Sequence, residues 1–256
     1  MKEEIRWSYD LAYAVGLIAT DGNLSKDGRH LEFCSKDLEL VTTFKHCLRL
    51  DNRIGWKTSG TSARRYPHVQ FGNVRLYRWL LQVGLTPRKS LTLSALRVPR
   101  KFFPDFLRGC LDGDGCVRAY KDPVYPRSQR LYTFFYSGSR PFLEWIRQKL
   151  HAQTGLTGYL NFASRCWRLG YAQRESRRLL ALLYRDPRRP CLQRKRARFL
   201  GILSSPLAEV VELADTYASG AYGASHRGSN PRLGTISPRR TTSREQQDKG
   251  VRPTRA

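Results

Sequence analysis

An apolar phrase built around a glycine occurs twice, and it restricts the chain to folds made of two near-equivalent halves. Gly16-Leu17-Ile18-Ala19-Thr20-Asp21-Gly22 and Gly109-Cys110-Leu111-Asp112-Gly113-Asp114-Gly115 each end on an Asp-Gly pair. Around the first copy, Leu11, Tyr13, Val15, Leu17 and Ile18 are interleaved with Ala12, Ala14, Gly16 and Ala19. That pattern predicts a helix over 9–21 that is apolar on nearly every side and therefore buried, with Gly22 as its C-cap. Glycines at Gly16 and Gly109 remove the side chain where two such helices would touch, so the backbones can approach closely. The closing acids, Asp21 and Asp114, stand 93 positions apart.

The elements around each phrase follow one order. After the first copy come a short strand at Leu31-Glu32-Phe33, a helix through Leu38, Val41, Phe44, Cys47 and Leu48 capped by Ser35 or Asp37, alternating segments at Arg53–Lys57 and His68–Phe71 joined by a turn at Thr58–Ser62, and a helix over Val74–Val83. After the second come a strand at Leu131–Ser137, an amphipathic helix at Arg140–Thr154, strands at Tyr159–Phe162 and Cys166–Tyr171, and a helix at Arg174–Tyr184. Both halves read helix, two strands, helix, two strands, helix. The expected class is α+β, an internally duplicated αββαββα unit, with halves at 8–98 and 99–203. From 204 to 256 Gly, Ser, Thr, Pro and Arg dominate, which predicts a disordered basic tail.

Charge narrows the partner. A net charge of +25 and a pI near 10.4 favour a polyanion, and nucleic acid is the first to consider. No run approaches the roughly 18 apolar residues of a membrane span. Six cysteines without CxxC spacing, and a charged N-terminus that leads into no apolar run, point to an intracellular protein with reduced thiols.

The two phrases, together with Gly84-Leu85-Thr86-Pro87-Arg88-Lys89-Ser90-Leu91-Thr92-Leu93, Val98-Pro99, Phe106–Gly109 and Cys191-Leu192-Gln193-Arg194-Lys195, resemble the single-chain LAGLIDADG homing endonucleases. The resemblance spans roughly residues 8–200. It implies motif helices packed at the centre, antiparallel sheets forming a DNA-binding saddle, and a monomer that hydrolyses both strands of a long asymmetric duplex. It also implies that Asp21 and Asp114 are catalytic metal ligands and that Lys89 and Lys195 are active-site lysines. Carboxylates at two adjacent helix C-termini repel one another unless a cation lies between them, and Mg²⁺ (or Mn²⁺) suits such oxygen ligands. The first acidic position of the phrase is Ala19 in one copy and Asp112 in the other, and that inequality is read as incidental.

Contacts to DNA are expected from alternating strands, which fit the major groove. Arg53 and Lys57 would face it while Ile54 and Trp56 pack inward; His68 and Gln70 would form the next strand's face, with Arg64 and Arg65 in the loop before it. Arg118, Lys121, Arg130, Arg165 and Arg168 are the candidates in the second half. An intron maturase binding structured RNA and a catalytically inactive DNA-binding regulator are the competing readings. In the tail, Ala208–Thr216 and Gly228–Pro231 resemble the translation of a transfer RNA gene.

Overall fold

The computed structural model describes residues 4–59, 62–123 and 129–203. These lie in one compact unit, Met1–Asp215; the tail expected over 204–256, with its transfer-RNA-like segments, lies outside the described residues.

Two helices form the axis. Helix α1 (Tyr9–Thr20) begins where Ser8, in extended backbone, accepts a hydrogen bond from the Leu11 amide at 3.1 Å, an N-cap of the ordinary kind. Every residue from Leu11 to Ala19 is buried, as the all-round apolar pattern requires. Strands β1 (Gly22–Leu24) and β2 (His30–Cys34), helix α2 (Leu38–Leu48), strands β3 (Gly55–Ser59) and β4 (Ser62–Gly72), and helix α3 (Val74–Val83) complete the first half. A single 3-10 turn, Arg100–Phe102, leads into α4 (Phe103–Gly113), the second motif helix. Strands β5 (Cys116–Lys121) and β6 (Gln129–Ser137), helix α5 (Arg140–Thr154), strands β7 (Tyr159–Ala163) and β8 (Cys166–Ala172), and helix α6 (Gln173–Tyr184) repeat the order. A further helix, α7 (Gln193–Leu203), follows.

The class is α+β, with two four-stranded antiparallel sheets of matching order, β1-β2-β4-β3 and β5-β6-β8-β7. One sheet face carries the alternate apolar residues Leu31, Phe33, Val69 and Phe71, or Leu131, Phe135, Leu169 and Tyr171, against the helices. Phe33 stacks on Phe44 of α2 at 4.5 Å, and Phe106 of α4 meets Phe142 and Trp145 of α5. Both clusters run continuously into the α1/α4 pair, so one core serves both halves.

The structure corrects several sequence expectations. Strands β1 and β5 supply the first of the two strands that the αββαββα order requires after each motif helix, at residues too few or too polar to show a period, and α7 is an element that order does not contain. Gly22 is not a left-handed cap: Asp21 ends α1 and Gly22 opens β1, where a Cβ would stand 2.6 Å from the Ile18 Cα. Asp37 is the N-cap of α2 but makes no capping bond with its side chain. Its carboxylate instead takes Arg194 of α7 at 2.7 Å, and Glu39 accepts from the Gln193 amide at 2.8 Å, so α7 fastens onto the first half. Arg64 and Arg65 lie within β4 rather than in a loop. Trp56 shares the core-side face with its partner Pro67, yet it is 48% exposed at the edge strand β3.

Candidate active site

The glycines of α1 and α4 face each other. A Cβ on Gly16 would lie 2.1 Å from the Phe106 carbonyl oxygen, and one on Gly109 would lie 2.2 Å from that of Tyr13. The obstructing atoms are main chain and cannot rotate away, so only glycine permits this crossing. Helices this close must end side by side, and their C-caps are Asp21 and Asp114.

The carboxyls of Asp21 and Asp114 lie close enough to bear on each other's titration. Burial raises the pKa of both; Asp21, with the negative charge of Asp114 beside it, is pushed up to about 7. Thr20 Oγ1 lies 3.3 Å from Asp21 Oδ2. Gly113 keeps space open at this spot, since a Cβ there would stand 2.5 Å from Asp21 Oδ2 and 2.2 Å from Thr20 Oγ1.

Each half also delivers a lysine to the end of its own motif helix. Lys89, buried in the turn after α3, donates to the Gly22 carbonyl. Lys195 of α7 donates to the carbonyls of Leu111 (2.5 Å), Asp112 (2.9 Å) and Gly115 (2.8 Å). Lys195 therefore satisfies main-chain oxygens left over where α4 ends, whereas Lys89 holds the first carbonyl of β1, just past the end of α1. Burial lowers both pKa values, that of Lys89 to about 8, while the attraction of Asp21 pulls each the other way.

Asp112, taken above as incidental, is a buried junction. It accepts from Tyr13 of α1 at 2.8 Å, Tyr184 of α6 at 2.5 Å and the Leu192 amide at 2.7 Å. Burial raises its pKa and those of both tyrosines. Arg108, also buried, joins Asp105 (2.5 Å) to the carbonyls of Leu183 (2.6 Å) and Pro190 (2.7 Å). The long-range partners of both residues carry no sequence signal, because a charge on an apolar helix face does not reveal which distant segment meets it.

The acids stand at the edge of an open cleft of about 890 Å³ that is also lined by Cys34, Lys36, Asp37, Lys57, Tyr66, Cys116, Arg194, Lys195 and Arg198. Two carboxyls on the wall of this cleft, with Lys57, Lys195, Arg194 and Arg198 around it, offer hard oxygen ligands of the kind a divalent ion takes. Among the described residues no cluster of three or more His, Cys, Asp or Glu side chains could hold a metal, so any ion here would take its other ligands from water, main chain or substrate.

Strands leave the acids in register. The residue two beyond each acid, Asn23 or Cys116, pairs with Glu32 of β2 or Phe134 of β6. Glu32 and Phe134 are thus equivalent positions on the sheet faces turned away from the core. Around Glu32, Lys57 Nζ lies at 2.6 Å and His68 Nδ1 at 2.9 Å from its Oε1, and Gln70 is exposed directly opposite. Around Phe134, the guanidinium of Arg168 lies 4.8 Å and that of Arg118 5.9 Å from the ring centre, and Tyr132 and Tyr136 flank it. Of the other candidates, Arg53 is exposed ahead of β3 and Lys121 is exposed at the end of β5. Arg130 is tied to Asp122 at 2.6 Å, and Arg165 occupies the β7–β8 turn with φ 66°. Arg64 and Arg65 are exposed on β4.

No protein-family model and no curated protein matches the sequence. Among solved structures, the LAGLIDADG meganuclease I-AabMI bound to uncleaved DNA is similar with a TM-score of 0.51 and 14% identity, over 80% of this chain and 91% of that one. I-DmoI in complex with DNA and Ca gives 0.47 and 16%, over 80% and 97%. Full-length DUF199/WhiA from Thermatoga maritima gives 0.48 and 12%, over 84% and 69%. The fold is that of the LAGLIDADG homing endonucleases.

Proposed function

We propose that the chain is a divalent-metal-dependent, site-specific DNA endonuclease with halves at 8–98 and 99–203. The observation that carries this reading is the meeting of Asp21 and Asp114 at the ends of two glycine-packed helices. No structural need is met by bringing two like carboxylates together at two negative helix termini, where partial desolvation disfavours their charge even though Asp114 is exposed to the cleft. Asp112 shows what a structural carboxylate looks like here, with donors from three elements; Asp21 and Asp114 have no such donor set.

Asp21 and Asp114 would hold Mg²⁺ or Mn²⁺, which supplies Lewis-acid stabilisation of phosphate charge and a more acidic water. Both carboxylates would have to be ionised to hold the ion, so its binding would release the proton that Asp21 keeps below about pH 7. Lys89 and Lys195, fixed by main-chain carbonyls, hold positive charge beside the acids, where the scissile phosphates of a duplex would lie. Exposed arginines and lysines on strands and turns would hold the phosphate backbone.

A plasmid-library cleavage assay in Mg²⁺ tests this, comparing the full chain with Asp21→Asn and Asp114→Asn. Metal-dependent double-strand cutting lost in both variants is the expected result. Cutting that survives both substitutions overturns the mechanism. Tight duplex binding without cutting would instead identify a DNA-binding regulator, and selective binding of structured intron RNA would identify a maturase.

A further inference from the structure

We infer that Arg168 is a base-reading residue, recognising guanine in the half-site met by the second sheet; the assignment rests on the DNA-binding reading above. Arg168 lies on β8, an inner strand between β6 and β7, rather than at an edge or turn where phosphates would pass. It is half-buried and held on two sides. Its guanidinium lies over the Phe134 ring at 4.8 Å, and its Nε donates to Asn161 Oδ1, directly across on β7, at 3.1 Å. No carboxylate pairs with it among the described residues, and its two terminal nitrogens make no hydrogen bond to them. Phe134 is itself only 5% exposed, so the ring beneath is fixed as well.

A planar fork with its stem hydrogen bond made and its terminal donors unspent has given up its rotamer freedom before any partner arrives. Phosphate oxygens accept from many directions and do not require a fixed plane. The acceptor pair that does require one is guanine O6 and N7 in the major groove, which takes two parallel N–H donors. The other arginines of this sheet lack the combination: Arg130 is bound to Asp122, Arg165 sits exposed in a turn, and Arg118 is exposed and farther from the ring.

The test begins with duplexes selected from a randomised library by the full chain in Ca²⁺, followed by affinity measurements for every single-base change. In the half-site met by the second sheet, at least one G·C pair is expected whose replacement weakens binding about ten-fold. Arg168→Ala and Arg168→Lys should both flatten that position alone, with the salt dependence of binding unchanged, since lysine cannot reproduce the fork. Replacing that guanine by 7-deazaguanine, which lacks N7, should weaken the wild type but not Arg168→Ala. Phe134→Leu should flatten the same position in part, as a positioning residue would. Uniform weakening at all positions with a shallower salt dependence makes Arg168 a phosphate contact and overturns the assignment, as does an unchanged profile. Failure of the wild type to enrich any duplex overturns the DNA-binding reading itself.

Discussion

Glu32 and Phe134 occupy the same place in the two halves and gather cations by opposite means. Glu32 holds Lys57 with charge and has His68 beside it, whereas Phe134 holds Arg168 and Arg118 against a ring. Beneath them the halves hardly differ: facing glycines, a C-terminal acid, a lysine on the helix end and the same strand order recur. Packing accounts for the contrast. Inward positions are bounded by neighbours on every side, whereas outward positions answer only to whatever the sheet meets, so a duplicated unit can diverge there at small cost in stability.

The largest expected effect tests whether the halves are equal in chemistry. Asp21→Asn and Asp114→Asn should each lower Mg²⁺-dependent cleavage about a thousand-fold or more while leaving duplex affinity within a few-fold. A variant that still cuts at near wild-type rate would show that one acid is dispensable.

Asp112→Ala comes next, because only the second half has this junction. It strands two tyrosine hydroxyls and an amide in the core, and urea unfolding should show a loss of about 3–5 kcal/mol. At the helix crossing the halves should again behave alike. Gly16→Ala and Gly109→Ala each drive a methyl into a main-chain carbonyl and should cost about 1–3 kcal/mol or more. A markedly cheaper substitution at one of them would mean that the crossing is not symmetric.

The acid pair also sets a pH dependence without metal. Because Asp21 titrates near 7 in the folded chain and near the ordinary carboxylate value when unfolded, the folded state holds more protons between these limits. Metal-free stability should therefore fall as pH rises from about 4 to 7. Asp21→Asn should flatten that slope in thermal melts, and Mg²⁺ should restore stability at the upper end. The smallest effect is that of Glu32→Gln: its pairs are partly exposed, so stability should change by less than about 1 kcal/mol. A change in base preference confined to the first half-site would sharpen the contrast with Phe134.

The sequence made the central helices legible because their periodicity and small residues are local signals. It also ordered the longer strands and helices correctly. Strands β1 and β5 were not legible, since each follows directly on a helix and β1 has only three residues. Trp56 looked like core by alternation, but alternation reports which side of a sheet a residue takes, not whether a helix covers it. Lys89 and Lys195 were marked by resemblance alone; their bonds to carbonyls at or just past the helix ends depend on chain segments far from those helices. The same holds for Asp112, whose partners lie 72 to 99 positions away in the chain, and for the two main-chain carbonyls that Arg108 reaches 75 and 82 positions away.

Helix α7 fastens to the first half through Arg194–Asp37 and the Gln193–Glu39 bond, while Lys195 closes the end of α4. During synthesis the first half leaves the ribosome with one face of α1 bare and with Asp37 and Glu39 unmatched. Its glycine-lined ridge can be covered only after α4 emerges, and its acidic corner only after residue 194. The glycine face of α1 and the acidic pair Asp37 and Glu39 are thus completed by residues made much later, from α4 and α7, and the first half has its full set of contacts only when the second is present.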